Sequence, residues 1–532
     1  MTASAPKEHW PARSRRFFRL SVLLLVAVGL TGESGLAGAA TRPRVGPNVP
    51  VTPENLVDRT ASNSPLLVAD PTQARFVVLA NRQDGPDFSC GLQVSGDSGN
   101  SWVSANPVPG LPPGAEKCYA PEAGFDRHGR LYYLFVGLKG AGNSPMGVFL
   151  TTSSDRANTF SAPVQVLGPE RYQVRMAIDP GAGTNGRIHL VWLQTTSPPP
   201  LGGLSPPPNP LMAAHSDDGG HTFSTPVQIS DPDRQRVVAP ALALGPHHSV
   251  YVLYYDLQDD NRDYQGLEGP VFDGRWSLVA TTSTDGGGHF DHGVEVDDGL
   301  VPPERVMLIY TMPPPSLVAD PGGRVYAAWY DARNGDWDVF LRRSLDGGRT
   351  WGPPLRLNDD PLRDGSHQYL PRLSVADSGR IDVVFYDRRG NKENRGNDVY
   401  YTSSTDHGRS FGPNLKLTTV DSDSRIGPRY DVPSAARLNE FGSRIALLSE
   451  PSRALAAWTD TRNTGRAFPA QDIFAASVLL AGSKGRRWWV PGVVTAVALL
   501  ALSWAVVLPR YRRRHRRPPG TAGSTSAAQD GS

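Results

Sequence analysis

Short apolar runs separated by Gly- and Asp-rich breaks recur along this chain. Their clearest form is Pro315 to Leu357, PSLVADPGGRVYAAWYDARNGDWDVFLRRSLDGGRTWGPPLRL. It reads as strand one, a glycine turn, strand two, a loop, strand three, a second tight turn and strand four. Corresponding first strands begin near Pro65, Pro121, Arg175, Pro240, Pro315, Pro371 and Pro433. The last unit contains IALLSE, ALAAWTDTR and DIFAASVLL. A four-strand unit at a near-constant period predicts an all-β repeat architecture of four-stranded antiparallel units.

The turn between strands three and four carries one phrase, Ser-x-Asp-x-Gly-x-Thr/Ser-Trp/Phe, six times. The copies begin at Ser95, Ser153, Ser216, Ser283, Ser344 and Ser404, at steps of 58, 63, 67, 61 and 60 residues. Glycine at the fifth position supplies a positive φ, the Asp side chain accepts turn amides, and the hydroxyls close the network. The terminal aromatic folds back as an apolar plug. Asp97, Asp155, Asp218, Asp285, Asp346 and Asp406 are therefore read as structural, one per turn, and not as catalytic carboxylates. Ala157 replaces the glycine in the second copy and His289 the threonine in the fourth.

These residues resemble the Asp box of the sialidase (bacterial neuraminidase repeat) superfamily over roughly residues 47 to 480. The resemblance implies a β-propeller with the boxes as its 3–4 turns, and it specifies fold more sharply than activity. Seven strand starts against six boxes favour seven blades, the last closed by an N-terminal strand near Val45 to Val51. Six blades, as in sialidases proper, is the competing count. Closure by the chain's own start removes exposed sheet edges.

Composition places this array outside the cytoplasm. Arg13, Arg15 and Arg16 precede the apolar run Phe17 to Leu30, and Ala37-Gly38-Ala39 resembles a cleavage site, so residues 1–39 read as an export signal. Ser14-Arg15-Arg16-Phe17-Phe18 fits a twin-arginine signal as well as an ordinary secretory one. Residues 40–480 form the propeller and 481–509 a juxtamembrane segment and transmembrane helix. In the latter, Trp488 to Leu508 is 21 residues without a charge, about 31 Å as a helix. The basic tail 510–532, opening RYRRRHRR, marks the cytoplasmic side. Of the formal +2, the first 40 residues carry +3 and residues 481–532 carry +8, which leaves about −9 between them. An acidic ectodomain argues against a nucleic-acid partner. The only two cysteines, Cys90 and Cys118, are expected to form one disulfide in an exported domain. No cofactor or metal is expected. The run Asp259, Asn261, Asp263 has calcium-loop spacing, but Tyr264 stands where that loop needs glycine.

In an up-and-down blade the 1–2 and 3–4 turns share one face, so a ligand site is expected on the other, around the channel mouth. That face receives the long loops Ser197 to Pro210, Asp256 to Gly269 and Asp387 to Asn397, and the residues entering each first strand. Among the latter are Glu122, Arg175, Tyr369, Arg372, Arg429, Tyr430 and Asp431. The sialidase resemblance implies three arginines on a substrate carboxylate, a Tyr–Glu nucleophilic pair and an Asp acid/base. Arg175, Arg372 and Arg429 could form the triad, Glu122 could support Tyr369 or Tyr430, and Asp431 could act as acid. The family's Arg-Ile-Pro signature before the first box is absent. Two readings follow: a membrane-tethered propeller that recognises a glycan or surface protein, and an exo-α-sialidase-type hydrolase. The repeated pairs Asp331/Arg333, Asp387/Arg389 and Asp460/Arg462 read instead as architecture that pins the loop after strand two.

Overall fold

The computed structural model describes residues 43–52, 61–84, 87–105, 110–181, 186–195, 207–260, 272–302, 313–423, 426–427, 442–463 and 471–480. Seven antiparallel sheets follow one another along the chain. Their first strands are Ser62–Ala69, Lys117–Phe125, Arg171–Asp179, Val237–Leu244, Ser316–Ala319, Gln368–Val375 and Ala446–Glu450. Each first strand touches the next, and the seventh touches the first, so the sheets are blades around a central channel. The fold is a seven-bladed propeller.

The seventh blade is completed from the N-terminus. Arg44–Val45 and Val49–Pro50 both pair antiparallel with Asp472–Leu479, in registers Arg44↔Leu479 and Val49↔Ala475. The expected closing strand is thus two short pieces. The blade's first strand begins at Ala446, later than the expected start near Pro433, which lies outside the described residues. The stretch between the sixth box, at Ser404, and this entry is longer than in the other units, so periodicity alone gave its position poorly. The proposed transmembrane helix, the export signal, Asn261 and Asp263 also lie outside the described residues. Among the described residues no helix is long and apolar enough to cross a membrane.

Second strands explain the packing. Each is flanked by strands one and three in its own sheet and covered by neighbouring blades on both faces, so it reads as a continuous apolar run instead of an alternating one. One equivalent position holds Asn81, Phe135, Trp192, Tyr254, Trp329, Phe385 and Trp458, and all seven are 0–1% exposed. Where blade 1 has the small Asn81, Gly91 lies directly against it. Cys90 and Cys118 form the expected disulfide, joining the third strand of blade 1 to the first of blade 2.

The six recurring turns share one hydrogen-bond network. In the fifth, Asp346 Oδ1 accepts Ser344 Oγ at 2.7 Å and Thr350 N at 2.9 Å, while Oδ2 accepts Thr350 Oγ1 at 2.6 Å. Gly348, at φ +88°, donates its N–H to Ser344 Oγ at 2.8 Å. The two departures keep this network. Ala157 holds φ +63° and still donates to Ser153 Oγ at 2.9 Å. His289 replaces the threonine hydroxyl with Nδ1, 2.7 Å from Asp285 Oδ2. These bonds hold the Asp155 and Asp346 carboxyls down to about 2, with hydroxyl and amide donors stabilising the charged form. Folded values below the unfolded ones contribute stability that is full above about pH 4 and lost as pH falls toward 2. Unfolding followed by urea at pH 4.5 and at pH 2.5 should show this loss, and replacing the six carboxylates by Asn should flatten it. Equal acid sensitivity in the six-fold variant would place the titrating groups elsewhere.

The repeated Asp–Arg pairs also take definite form. Arg333 holds Asp331 of its own blade at 2.7 Å and Asp297 in the outer strand of blade 4 at 2.9 Å. Arg389 pairs with Asp387 and with Asp359, which follows the outer strand of blade 5. Arg462 pairs with Asp460 and reaches Thr419, beyond the outer strand of blade 6, and Asn48. Each guanidinium lies over an aromatic ring of strand three, Phe340, Tyr400 or Phe474. The pairs therefore pin the loop as expected and also clamp one blade to the next.

Candidate functional site

A bulge recurs in five inner strands just before the channel. The ladder register shifts between Asn63 and Leu66, Tyr119 and Glu122, Tyr172 and Arg175, Val238 and Ala241, and Tyr369 and Arg372. Within each shift one non-glycine residue is left-handed: Ser64, Ala120, Gln173, Ala239 and Leu370, at φ 50–56°. The next residue is proline in four of the five, Pro65, Pro121, Pro240 and Pro371. Proline has no N–H to leave unpaired where the ladder is broken. A bulge re-aims the side chain that follows it. Register with strand two places Leu66, Glu122, Arg175, Ala241, Ser316, Arg372 and Ala446 at one equivalent level. Three of those seven positions carry charge.

They meet a fourth charged group. Arg444, two residues before the last inner strand, donates from Nη1 to Glu122 Oε1 and from Nε to Ser64 O at 3.0 Å. Arg175 reaches the same Glu122 oxygen at 3.5 Å and donates from Nε to Pro240 O at 3.1 Å. Arg372 lines the same cavity of about 260 Å³ as Arg175, Arg444 and Glu122. Its guanidinium has no hydrogen-bond or ion-pair partner among the described residues. Burial lowers the Arg175 pKa to about 10; Glu122 opposes that shift, and Arg444 and Arg372 add to it. Burial likewise lowers that of Arg372, with Arg444 adding and Glu122 opposing. Depressed arginines signal positive charge crowded out of water.

From this level the cavity continues along Ala123–Phe125 and Met176–Ile178, toward the face that carries the recurring turns. On the other side of Arg175 and Arg444, a space of about 20 Å³ is bordered by Ser64, Arg82, Pro121 and Ser443. Beside the arginines the described space therefore lies mainly on the turn side, while a separate hollow of about 490 Å³, lined by residues 332–336, Arg363 and Gly365, opens on the opposite face.

The remaining candidates separate. Tyr369 is buried and donates its hydroxyl to Asn397 Oδ1 at 2.6 Å, with Arg388 over its ring at 5.0 Å. It stacks on Tyr386 and is not hydrogen-bonded to Glu122, whose partners among the described residues are both arginines. Arg429, Tyr430 and Asp431 lie outside the described residues. Asp97, Asp155, Asp218, Asp285, Asp346 and Asp406 sit in their turns. Arg444 was missed because the seventh unit was entered at Pro433. Its signal was its place just before IALLSE, the run that becomes the inner strand.

No family model and no curated protein matches this chain. Solved structures do. A protein of unknown function from Dyadobacter fermentans is 14% identical, with 83% of this chain and 100% of that chain covered and a TM-score of 0.45. A Hadza microbial sialidase is 14% identical over 76% of this chain and 74% of its own, with a TM-score of 0.42. An ulvan lyase from a polysaccharide lyase family is 13% identical over 80% and 95%, with a TM-score of 0.47. Likeness at this level carries no inference about activity, and the blade count rests on this chain's own sheets.

Proposed function

We propose that this protein is a cell-surface recognition propeller that seats the acidic end of a glycan in its channel. One observation carries the reading. Arg372 presents an unpartnered guanidinium, among the described residues, to a cavity it shares with Arg175, Arg444 and a single carboxylate. Guanidinium forks match carboxylate and sulfate oxygens in pairs, and such bonds are strongest where water is excluded. A closed ring of blades admits a chain end or a small group more readily than the middle of a polymer. The recurring turns, which resemble the Asp box, make a saccharide the favoured ligand class. The same proposal includes export, a C-terminal anchor at Trp488 to Leu508 and a cytoplasmic tail.

The hydrolytic alternative needs groups on both sides of the glycosidic bond. Glu122 is the one acidic side chain among the described residues lining the cavity, and it is held by two arginines. The sialidase-type set would then draw on Tyr430 and Asp431. Recognition asks less of the described residues and is the reading preferred.

Full-length protein in detergent micelles should bind acidic glycans on an array in preference to neutral ones. Arg372→Ala should weaken that binding at least about tenfold. Equal retention of neutral glycans, or binding unchanged by Arg372→Ala, would remove the channel as the site. Turnover of a fluorogenic sialoside by the wild type, lost in Arg372→Ala, would place hydrolysis at the same arginines.

A further inference from the structure

The charge count in the channel selects among acidic ligands. The described residues lining the cavity carry three guanidiniums, Arg175, Arg372 and Arg444, and one carboxylate, Glu122, leaving +2. The Arg372 side chain has no partner there, and the 3.5 Å contact from Arg175 to Glu122 is at the outer limit of an ion pair. Both Arg175 and Arg444 use the same Glu122 oxygen, so one carboxylate neutralises at most part of the group. Charge left uncompensated away from bulk water is costly, and the cost grows when like charges share the space. A monoanion would leave the described groups at +1; two negative charges bring them to neutrality. We infer that the group seated at the arginines carries two negative charges, as a phosphate monoester does, or a carboxylate with an adjacent sulfate ester. This rests on the reading of the arginines as the ligand seat and adds a charge requirement to it.

Glu122 then acts as the specificity-determining residue, since it sets the count at +2 instead of +3. Its partners also fix its position, because Arg444 is tied to Ser64 O and Arg175 to Pro240 O, both backbone groups of inner strands. The carboxylate and its two arginines form a rigid fixture, while Arg372 is the arginine with bonds still to make among the described residues.

Calorimetric titration of the full-length protein in detergent, at constant ionic strength and pH 7.5, tests this with two probes of similar size. Glucose 6-phosphate carries two negative charges at that pH and glucuronate carries one. The wild type should bind the phosphate about tenfold more tightly or better, the scale of one added charge interaction in a partly buried site. Arg372→Ala should remove most of that preference, and Arg372→Lys should keep much of it because the charge remains. Glu122→Gln should tighten binding of both probes, the phosphate more. Thermal unfolding of each variant separates loss of binding from loss of fold. A sulfated uronate as third ligand distinguishes a phosphate seat from a carboxylate–sulfate one. Equal affinity for both probes in the wild type, or weakened phosphate binding in a folded Glu122→Gln protein, would overturn the charge requirement while leaving the arginine seat in place. Absence of binding by all three ligands would overturn the seat itself, and the charge requirement with it.

Discussion

Replacing Arg333 by alanine should destabilise the propeller by about 3–5 kcal/mol, the usual cost of removing one partner from a buried ion pair. The effect is large because two carboxylates depend on this guanidinium. Asp331 is fully buried, and Arg333 donates to it from Nε at 2.9 Å and from Nη2 at 2.7 Å. Asp297 is 3% exposed and takes Nη1 at 3.1 Å and Nη2 at 2.9 Å. Asp297 would keep Arg342 at 3.2 Å, whereas Asp331 would retain only Trp329 Nε1 and a backbone amide. Burial already raises the Asp331 pKa with the arginine in place, and Arg333 is the chief opposing influence. Its removal should raise that pKa further. A folded pKa above the unfolded value means ionisation opposes folding, so the variant's deficit should be largest at neutral pH and shrink as pH falls toward 4. Urea unfolding at pH 7 and pH 4.5 measures both. A deficit under about 1 kcal/mol at pH 7 would mean that water reaches Asp331 and that the clamp acts as a surface pair.

The second large effect concerns the Cys90–Cys118 bond, which closes a sequence separation of 28 residues. In the chain-entropy account a loop of that size restricts the unfolded chain by roughly 3–4 kcal/mol. Replacing both cysteines by alanine should lower the unfolding free energy by about that amount, with little change in the native propeller, because both residues are buried and small. The bond also ties blades 1 and 2 into one unit at an early point in the sequence. Reduction of the wild-type protein in urea should reproduce the double variant, and the variant itself should be insensitive to reductant. A loss below about 1 kcal/mol would show that blades 1 and 2 remain associated in the denatured chain.

Local rules made much of the fold legible. Strands and tight turns depend on neighbours in sequence, so the recurring Ser-x-Asp-x-Gly turns, the apolar second strands and six of the seven blade entries could be read directly. Arg175, Arg372 and Glu122 were legible as channel candidates for the same reason, since each stands at a fixed place in its unit. Proline before Leu66, Glu122, Ala241 and Arg372 was visible too, although its meaning, a bulge that turns the next side chain inward, emerged only with the ladder register.

Contacts across the ring were not legible. Arg444 and Glu122 lie 322 residues apart, and no periodic signal links them; closure of the ring brings them together. Packing within and between neighbouring blades decided that Tyr369 would serve an aromatic cluster beside Asn397 and that the Asp–Arg pairs would clamp one blade to the next. The sequence by itself determined the unit, its turns and, through the N-terminal apolar segment, how the ring shuts. Only the tertiary structure decided which charges share the channel, because that depends on the circle the blades make and not on any one blade.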